Sequence, residues 1–163
     1  MRILGIDPGT ATTGYGVVDY KAGKGKMVAY GTIKTEAGLA MPLRLHRIKL
    51  QLEQLIQEYF PDKVAVEEIF YYRNSKTVIS VAQSRGVVLV TAAAAGLPVL
   101  EYTPLQVKQA VVGYGQADKR QVQIMVQRIL GMKEIPRPDD AADALAIAIC
   151  GLHSSRFTGL IRK

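Results

Sequence analysis

The stretch "ILGIDPGTATTGYGVV", residues 3–18, decides the fold of this chain. A short apolar run from Ile3 to Ile6 ends in one carboxylate, Asp7, before a Gly-rich segment and the apolar pair Val17 and Val18. Two apolar segments joined by a Gly-rich bend indicate a β-hairpin. Burying a charge is costly unless the charge is paired or bound to a metal, so Asp7 in a central strand requires a partner.

The length and composition predict one domain over residues 1–163 with a single sizeable core. The strand-like pattern beginning at residue 3 leaves no room for a signal peptide, and no apolar segment reaches membrane-spanning length without a charge. The single cysteine, Cys150, excludes an internal disulfide and fits a reducing compartment. We therefore expect a cytoplasmic protein that does not contact a membrane, with Cys150 a buried thiol rather than a nucleophile.

The charge balance favours a polyanionic partner. Lysine and arginine number 21 against 14 aspartate and glutamate residues, which gives a net charge of +7. The basic residues are spread along the chain, and nucleic acid is favoured over a merely basic surface.

Beyond the hairpin, the pattern predicts an α/β domain with a mixed sheet, because three early strands are followed by alternating helices and strands. Arg44, Arg47 and Lys49 in the first helix are interpreted as a solvated face, and Thr103 and Asp118 are expected to cap helices. The predicted elements are strands at 26–35, 62–70 and 98–104, and helices at 42–59, 74–96, 104–112, 119–130 and 138–153.

Several carboxylates recur at the ends of predicted elements. Glu67 and Glu68 end the second apolar strand, and Asp140 and Asp143 share one face of the last helix. Carboxylates that converge with Asp7 would repel one another unless cations neutralised them. Oxygen-only ligand sets select Mg²⁺ or Mn²⁺, and paired ions of this kind serve phosphoryl displacement.

The residues alone leave alternatives open. The acids of the last helix, Asp139 among them, could be ordinary first-turn acids that complement the helix dipole. Strand alternation places Glu67 and Glu68 on opposite faces, so only one of them can be a ligand, but alternation does not say which.

The motifs together resemble the RuvC family of bacterial Holliday-junction endonucleases. The resemblance rests on Asp7 in "GIDPGTATTGYGV", Glu67 in "AVEEIF", and the stretches 83–87, 101–123 and 140–148, in the same order over nearly the whole chain. It implies an RNase H-like fold with a mixed five-stranded sheet flanked by helices. It also implies a homodimer that makes paired, metal-dependent cuts in opposed strands of a four-way junction during recombination and repair, leaving 5′-phosphate ends.

The resemblance implies roles for particular residues. It assigns two Mg²⁺ ions per subunit, with Mn²⁺ able to substitute, and the RuvA–RuvB branch-migration complex as a partner. By position, the catalytic metal ligands are Asp7, Glu67, Asp140 and Asp143. By position, the DNA-binding residues are Phe70, Arg73, Lys108 and Lys119. Glu68 and Asp139 stand next to two of these acids, and the motif spacing favours Glu67 and Asp140.

Three other functions compete with this one. The actin, Hsp70 and sugar-kinase superfamily also carries a "GIDxGT" hairpin, but it needs two such domains and a second phosphate motif. A non-catalytic junction-binding module would have no need for four acids facing a polyanion. An RNase H-like nuclease of broader branched or duplex substrate range is not excluded by the sequence.

The segment 78–95 gives separate support for a dimer. Its apolar residues wrap more than one helical face, as expected for a helix covered by the sheet on one side and by a partner on another. The alternative is a helix wholly buried inside one subunit.

Overall fold

The computed structural model describes residues 1–69 and 77–160, with the side chains of 156–160 excepted. Ten elements are present in these ranges, and they follow the predicted order. They are β1 (Arg2–Asp7), β2 (Thr12–Lys21), β3 (Lys24–Lys34), α1 (Met41–Tyr59), β4 (Lys63–Glu67), α2 (Val78–Ala94), β5 (Val99–Tyr102), α3 (Pro104–Val112), α4 (Lys119–Leu130) and α5 (Asp139–Leu160).

The five strands form one mixed sheet in the order β3-β2-β1-β4-β5. β1 pairs antiparallel with β2 and parallel with β4, so it is the central strand. β3 extends the antiparallel side and β5 extends the parallel side. The predicted hairpin and mixed sheet are confirmed, and Asp7 is the last residue of the central strand.

Side-chain alternation divides the core between the two faces of the sheet. Ile3, Val18 and Ala65 pack against α3, α4 and α5, and we call this side the α5 face. Leu4 and Val17 point the other way, toward α1 and α2, on the side we call the α2 face. Each strand therefore supplies alternate residues to two separate apolar clusters.

On the α5 face, the helix touches the backbone of the sheet. A Cβ atom at Gly14 would lie 1.9 Å from the carbonyl oxygen of Asp140, and one at Gly5 would lie 2.2 Å from that of Ala144. The expectation that the glycines after Asp7 form the bend is wrong for Gly14 and Gly16, which lie within β2. The absence of side chains there allows α5 to approach closely.

The helices that flank the site begin where the sequence predicts. The side chains of Thr103 and Asp118 each accept a hydrogen bond from the backbone N–H three residues on. In both helices that residue is a glutamine, and its side-chain oxygen accepts a hydrogen bond from the backbone N–H of the cap residue. α5 is longer than the predicted 138–153 and continues to Leu160. Within the described ranges, no helix is both long and apolar enough to cross a membrane.

Candidate active site

Asp7 and Glu67 lie side by side on the α5 face of the sheet. Asp7 follows Ile3 and Gly5 on alternate positions of β1, and Glu67 follows Ala65 in the same way on β4. Because β1 and β4 are parallel neighbours, both carboxylates emerge at the same edge. The alternation that the sequence left open thus places Glu67, and not Glu68, toward α5.

The two carboxylates border a cavity of about 240 Å³ between the sheet and helices α3, α4 and α5. Asp143 enters it from α5, one turn inside the helix. Lys108 from α3 and Lys119 from α4 line the same cavity. Three acids and two lysines predicted as site residues are therefore brought together around one space.

The cluster makes Asp7 hard to ionise. The pKa of its carboxyl is raised to about 8, first by burial and then by the negative charges of Asp143, Glu67 and Asp140, while Lys119 partly opposes the shift. A carboxyl with this many like charges around it favours either a proton or a cation at neutral pH. The other three predicted acids therefore all act on the carboxyl group of Asp7.

Glu67 and Asp143 show the same behaviour more weakly. Burial and the charge of Asp143 raise the pKa of Glu67 to about 7, against the attraction of Lys108. Burial raises the pKa of Asp143 above its ordinary value, although a hydrogen bond from Lys119 works in the other direction. Full ionisation of the four acids would therefore exceed the positive charge of the two lysines.

The adjacent acids Asp139 and Asp140 point to different surroundings. The Asp139 carboxylate accepts a hydrogen bond of 2.9 Å from the side-chain amide of Gln123 and lies 3.3 Å from the Lys119 ammonium. These contacts lower its pKa. Asp140 instead lines a second cavity, which it shares with Asp7. Of the pair, Asp140 is the one whose charge acts on Asp7.

Lys119 joins α4 to the acids of α5. Its Nζ lies 3.1 Å from Asp143 and 3.3 Å from Asp139. Burial lowers the pKa of this lysine, but the two carboxylates outweigh it and the net pKa is raised, which keeps the ammonium charged. Because Asp118 caps α4 in the preceding position, the capping box fixes where this cation sits.

Arg85 of α2 holds the strand that carries Glu67. Its Nε donates to the backbone carbonyl of Glu67 at 3.1 Å, and its guanidinium forms an ion pair with Glu101 of β5. The side chain thereby fastens α2 to the ends of two parallel strands. It positions the Glu67 backbone.

The interpretation of Arg44 as part of a solvated face is wrong. Arg44 is half-buried and donates from Nε to the Thr35 hydroxyl at 2.8 Å, whereas Arg47 and Lys49 pair with carboxylates at the surface. Arg44 precedes the buried Ile48 by four residues, which is the helical spacing that could have revealed it.

The donor set fits a hard divalent cation, although the side chains are not gathered around one point. Among the described residues, no three His, Cys, Asp or Glu side chains are arranged to hold a single ion. The available donors near Asp7 are nevertheless carboxylate oxygens, with no thiol or imidazole among the residues lining the cavity. Such oxygens suit Mg²⁺ or Mn²⁺, and a cation would relieve the repulsion that raises the pKa of Asp7.

Two predicted site residues cannot be placed. Phe70 and Arg73 lie outside the described residues, and their assigned contacts with DNA stay predictions. Cys150 is buried on α5, where burial raises the pKa of its thiol to about 11, as expected for a thiol that is not a nucleophile.

Comparison with known proteins adds independent information. The family model described as "Crossover junction endodeoxyribonuclease RuvC" matches residues 3–151. A protein of that name from Syntrophomonas wolfei is 69% identical over 163 residues, which covers 100% of this chain and 95% of that protein. Another from Caldanaerobacter subterraneus is 56% identical over 157 residues, covering 96% of this chain and 95% of the relative.

Solved structures agree with these matches. Thermus thermophilus RuvC in complex with a Holliday junction substrate superposes with a TM-score of 0.91 at 42% identity, covering 97% of this chain and 96% of that one. A yeast mitochondrial Holliday junction resolvase shares the fold alone, with a TM-score of 0.67 at 14% identity over 98% of this chain and 83% of the other.

Proposed function

The chain belongs to the RuvC family of crossover junction endodeoxyribonucleases, and we propose that it resolves Holliday junctions by hydrolysing one phosphodiester bond in each of two opposed strands. The observation that carries the proposal is the convergence of acids from β4 and α5 on the buried Asp7 of β1, whose pKa is raised to about 8 first by burial and then by their charges. Ionising all of these carboxyl groups beside a phosphate requires bound cations that neutralise them. The products expected are 5′-phosphate ends.

Membership in this nuclease family implies dependence on a divalent metal ion. We propose two Mg²⁺ ions per subunit, with Mn²⁺ able to substitute, held by Asp7, Glu67, Asp140 and Asp143. Ions held by these residues would activate the attacking water and stabilise the departing 3′ oxygen.

The protein's own contribution is to hold these carboxylates in place and to attract the DNA. Backbone contact between β2 and α5 fixes Asp140 relative to Asp7, and Arg85 fixes the strand end at Glu67. Lys108 and Lys119, at the edge of the same cavity, present positive charge to a phosphate.

The proposed domain organisation, location and partner complex rest on the family membership. The family model spans residues 3–151, which supports the proposal of a single nuclease domain over 1–163. Action on junction DNA supports a cytoplasmic location, and family membership supports the RuvA–RuvB branch-migration complex as a partner. Alternative functions, as a nuclease of broader duplex range or a non-catalytic junction binder, are separated by the first experiment below.

We further propose a homodimer formed through α2. The helix packs on α1 and the sheet through Ser84, Val88 and Ala92, yet it exposes Ile79 and Val90, which are 75% and 59% accessible. The exposed residues along this stripe follow helical spacing, and all but Gln83 are apolar or small. They are Ile79, Ala82, Gln83, Gly86, Val90 and Ala93. An unpartnered apolar stripe favours a second copy over the alternative of a helix buried within one subunit, and a twofold dimer supplies two active sites for two equivalent strands.

The decisive experiment compares a synthetic four-way junction with a linear duplex of the same sequence, each with and without Mg²⁺. We expect paired cuts in the junction only, and only with the metal. Equal cutting of the linear duplex would favour the broader nuclease, and no cutting under any condition would favour the junction-binding module.

Variants of the acids test the residue assignments. Asp7→Asn should lower cleavage at least about 1000-fold while junction binding is kept or improved, because one charge that repels phosphate is removed. Glu67→Gln and Asp140→Asn should behave alike. The matched controls Glu68→Gln and Asp139→Asn change the neighbouring acid of each pair and should retain activity. Cleavage by Asp7→Asn within tenfold of wild type would show that the metal assignment is wrong.

A further inference from the structure

A second cavity adjoins the carboxylates on the side away from the two lysines. It measures about 580 Å³ and lies between the β1–β2 turn, the start of α1 and the start of α2. Its lining includes Thr10 from the turn, Thr12 from the start of β2, Ser80 from α2 and Arg44 from α1. Asp7 and Asp140 lie at the edge it shares with the active site. Asp7 therefore stands between two cavities, and each contains a predicted acid from α5.

Arg44 is fixed in this second cavity by hydrogen bonds that run through the Thr35 hydroxyl. Its Nε donates to the Thr35 Oγ1 at 2.8 Å, and Thr35, which is buried, donates from that oxygen to the Thr10 carbonyl at 2.5 Å. The Thr35 backbone N–H donates to the Ala11 carbonyl at 3.1 Å. The guanidinium is thus tied to the β1–β2 turn that follows Asp7.

The outer edge of this guanidinium is available for a ligand. In the part of the chain that the structure describes, no carboxylate pairs with Arg44 and no acceptor is found for its two Nη groups. Its neighbours on the same helix differ, since Arg47 pairs with Glu36 and Lys49 with Glu53. A half-buried guanidinium held at Nε presents a preorganised fork, and that fork matches the oxygens of a phosphate.

We propose that this second cavity is a subsite for a backbone phosphate of the strand being cut, next to the scissile phosphate, and that Arg44 binds it. The inference deepens the proposed junction-cleaving function and rests on it. A strand whose scissile phosphate lies at Asp7 must continue on both sides of the cluster. Lys108 and Lys119 lie on one side, and the described residue that offers a cation on the other is Arg44.

The purpose of such a subsite is alignment. A phosphate bound by a fixed guanidinium restrains the sugar–phosphate backbone beside the cut and so orients the bond to be broken. The contact carries no base information, so it should act equally on every sequence that the enzyme cuts.

The test removes charge from either member of the pair, Arg44 or a DNA phosphate. Junctions carrying one neutral methylphosphonate, at each of the three positions on either side of the cut, are cleaved under single-turnover conditions by wild type, Arg44→Gln and the control Arg47→Gln. We expect wild type and Arg47→Gln to lose at least about tenfold in rate at one of these positions. Arg44→Gln should be about tenfold slower on the unmodified junction and insensitive to the methylphosphonate at that same position.

Two results would overturn the proposal. One is cleavage by Arg44→Gln at the wild-type rate, and the other is a slower Arg44→Gln that keeps the full wild-type sensitivity at every position, which would assign Arg44 a structural role only. If Arg44→Gln fails to fold, Arg44→Lys takes its place, with a reduced sensitivity at the same position expected and full sensitivity overturning the proposal. A wild-type protein that does not cut junctions at all would contradict the proposed function instead.

Discussion

The helices pack on the two faces of the five-stranded sheet in different ways. On the α5 face, helix backbone meets strand backbone at Gly5, Gly14 and Gly16, and the acids are placed by that contact. On the α2 face, ordinary side chains such as Leu52 and Val88 fill the space, and α2 leaves an apolar stripe outside. Close backbone contact gives accurate placement with little tolerance, whereas side-chain packing leaves a surface free for association.

The largest effect is expected where the backbone contact is closest. Gly14→Ala would place a methyl group 1.9 Å from the Asp140 carbonyl oxygen, and no rotamer can relieve a clash between backbone atoms. We expect a loss of about 3 kcal/mol or more in the free energy of unfolding, together with a displaced α5 and loss of junction cleavage. Urea denaturation measures the first and the junction assay the second.

Gly38→Ala is the matched control for that change, since a Cβ atom there meets nothing within 4 Å. Its free energy of unfolding should stay within about 0.5 kcal/mol of wild type. A Gly14→Ala protein as stable as the control would remove the basis for distinguishing the two faces.

A charge on the exposed stripe of α2 tests the other face. Val90→Glu should weaken the proposed dimer at least about 100-fold, because a carboxylate would be buried without a partner, while each subunit stays folded. Sedimentation velocity should then report 17.8 kDa where wild type reports about twice that mass. Val28→Glu, an equally drastic change at an exposed position of β3, should leave the dimer intact. A monomeric wild type would contradict the proposal.

The acids on the α5 face should make the metal-free protein less stable as the pH rises. Asp7 and Glu67 have folded-state pKa values of about 8 and about 7, above the ordinary value near 4 of an unfolded chain, so the folded state holds the extra protons. From about pH 4 to about pH 8, the free energy of unfolding should fall, by up to about 1.4 kcal/mol per pH unit for each of the two groups.

Denaturation in EDTA at several pH values measures this slope. Asp7→Asn should flatten this slope, and Mg²⁺ should offset the loss of stability at pH 8. Asp139→Asn should not flatten the slope, because the pKa of the Asp139 carboxyl is lowered in the folded state. A metal-free wild type that is more stable at pH 8 than at pH 5 would show that these acids do not repel one another.

The smallest effect is expected for a substitution of Gly86 in α2. A Cβ atom at Gly86 meets nothing within 4 Å, and the residue lies inside a helix. In the Val90→Glu background, where the dimer does not contribute, Gly86→Ala should raise the free energy of unfolding by about 0.5–1 kcal/mol. A loss of more than 1 kcal/mol would mean that this stripe is already covered within one subunit.

The sequence predicts the ends of helices best where a single capping residue defines them. Thr103 and Asp118 mark helix starts because their side chains accept hydrogen bonds from the backbone, and both lie where they were expected, while Gly131 ends α4 in the left-handed conformation. The end of α5 was missed because Ser154 and Ser155 interrupt the apolar pattern while the backbone continues as a helix. Local propensity sets starts more firmly than ends.

The site was predictable as a set of acids and less so as an arrangement. Motif spacing favoured Glu67 over Glu68 and Asp140 over Asp139, and the structure directs those two toward Asp7. The contributions of Gly14 and Arg44 were missed, because both depend on what lies opposite in space. A glycine in a strand and an arginine on a helix look ordinary until the contacting element is known.

The alanines of α5 have a consequence for how the site responds to heat. Alanine has no side-chain rotamers, so packing with it loses no rotamer entropy and offers no alternative arrangement. The buried alanines that face the core are Ala141, Ala142, Ala144, Ala146 and Ala148. The spacing between β1 and the first turns of α5 is therefore set by van der Waals contact between backbone atoms and methyl groups, and warming should leave it unchanged until the whole contact melts as one unit.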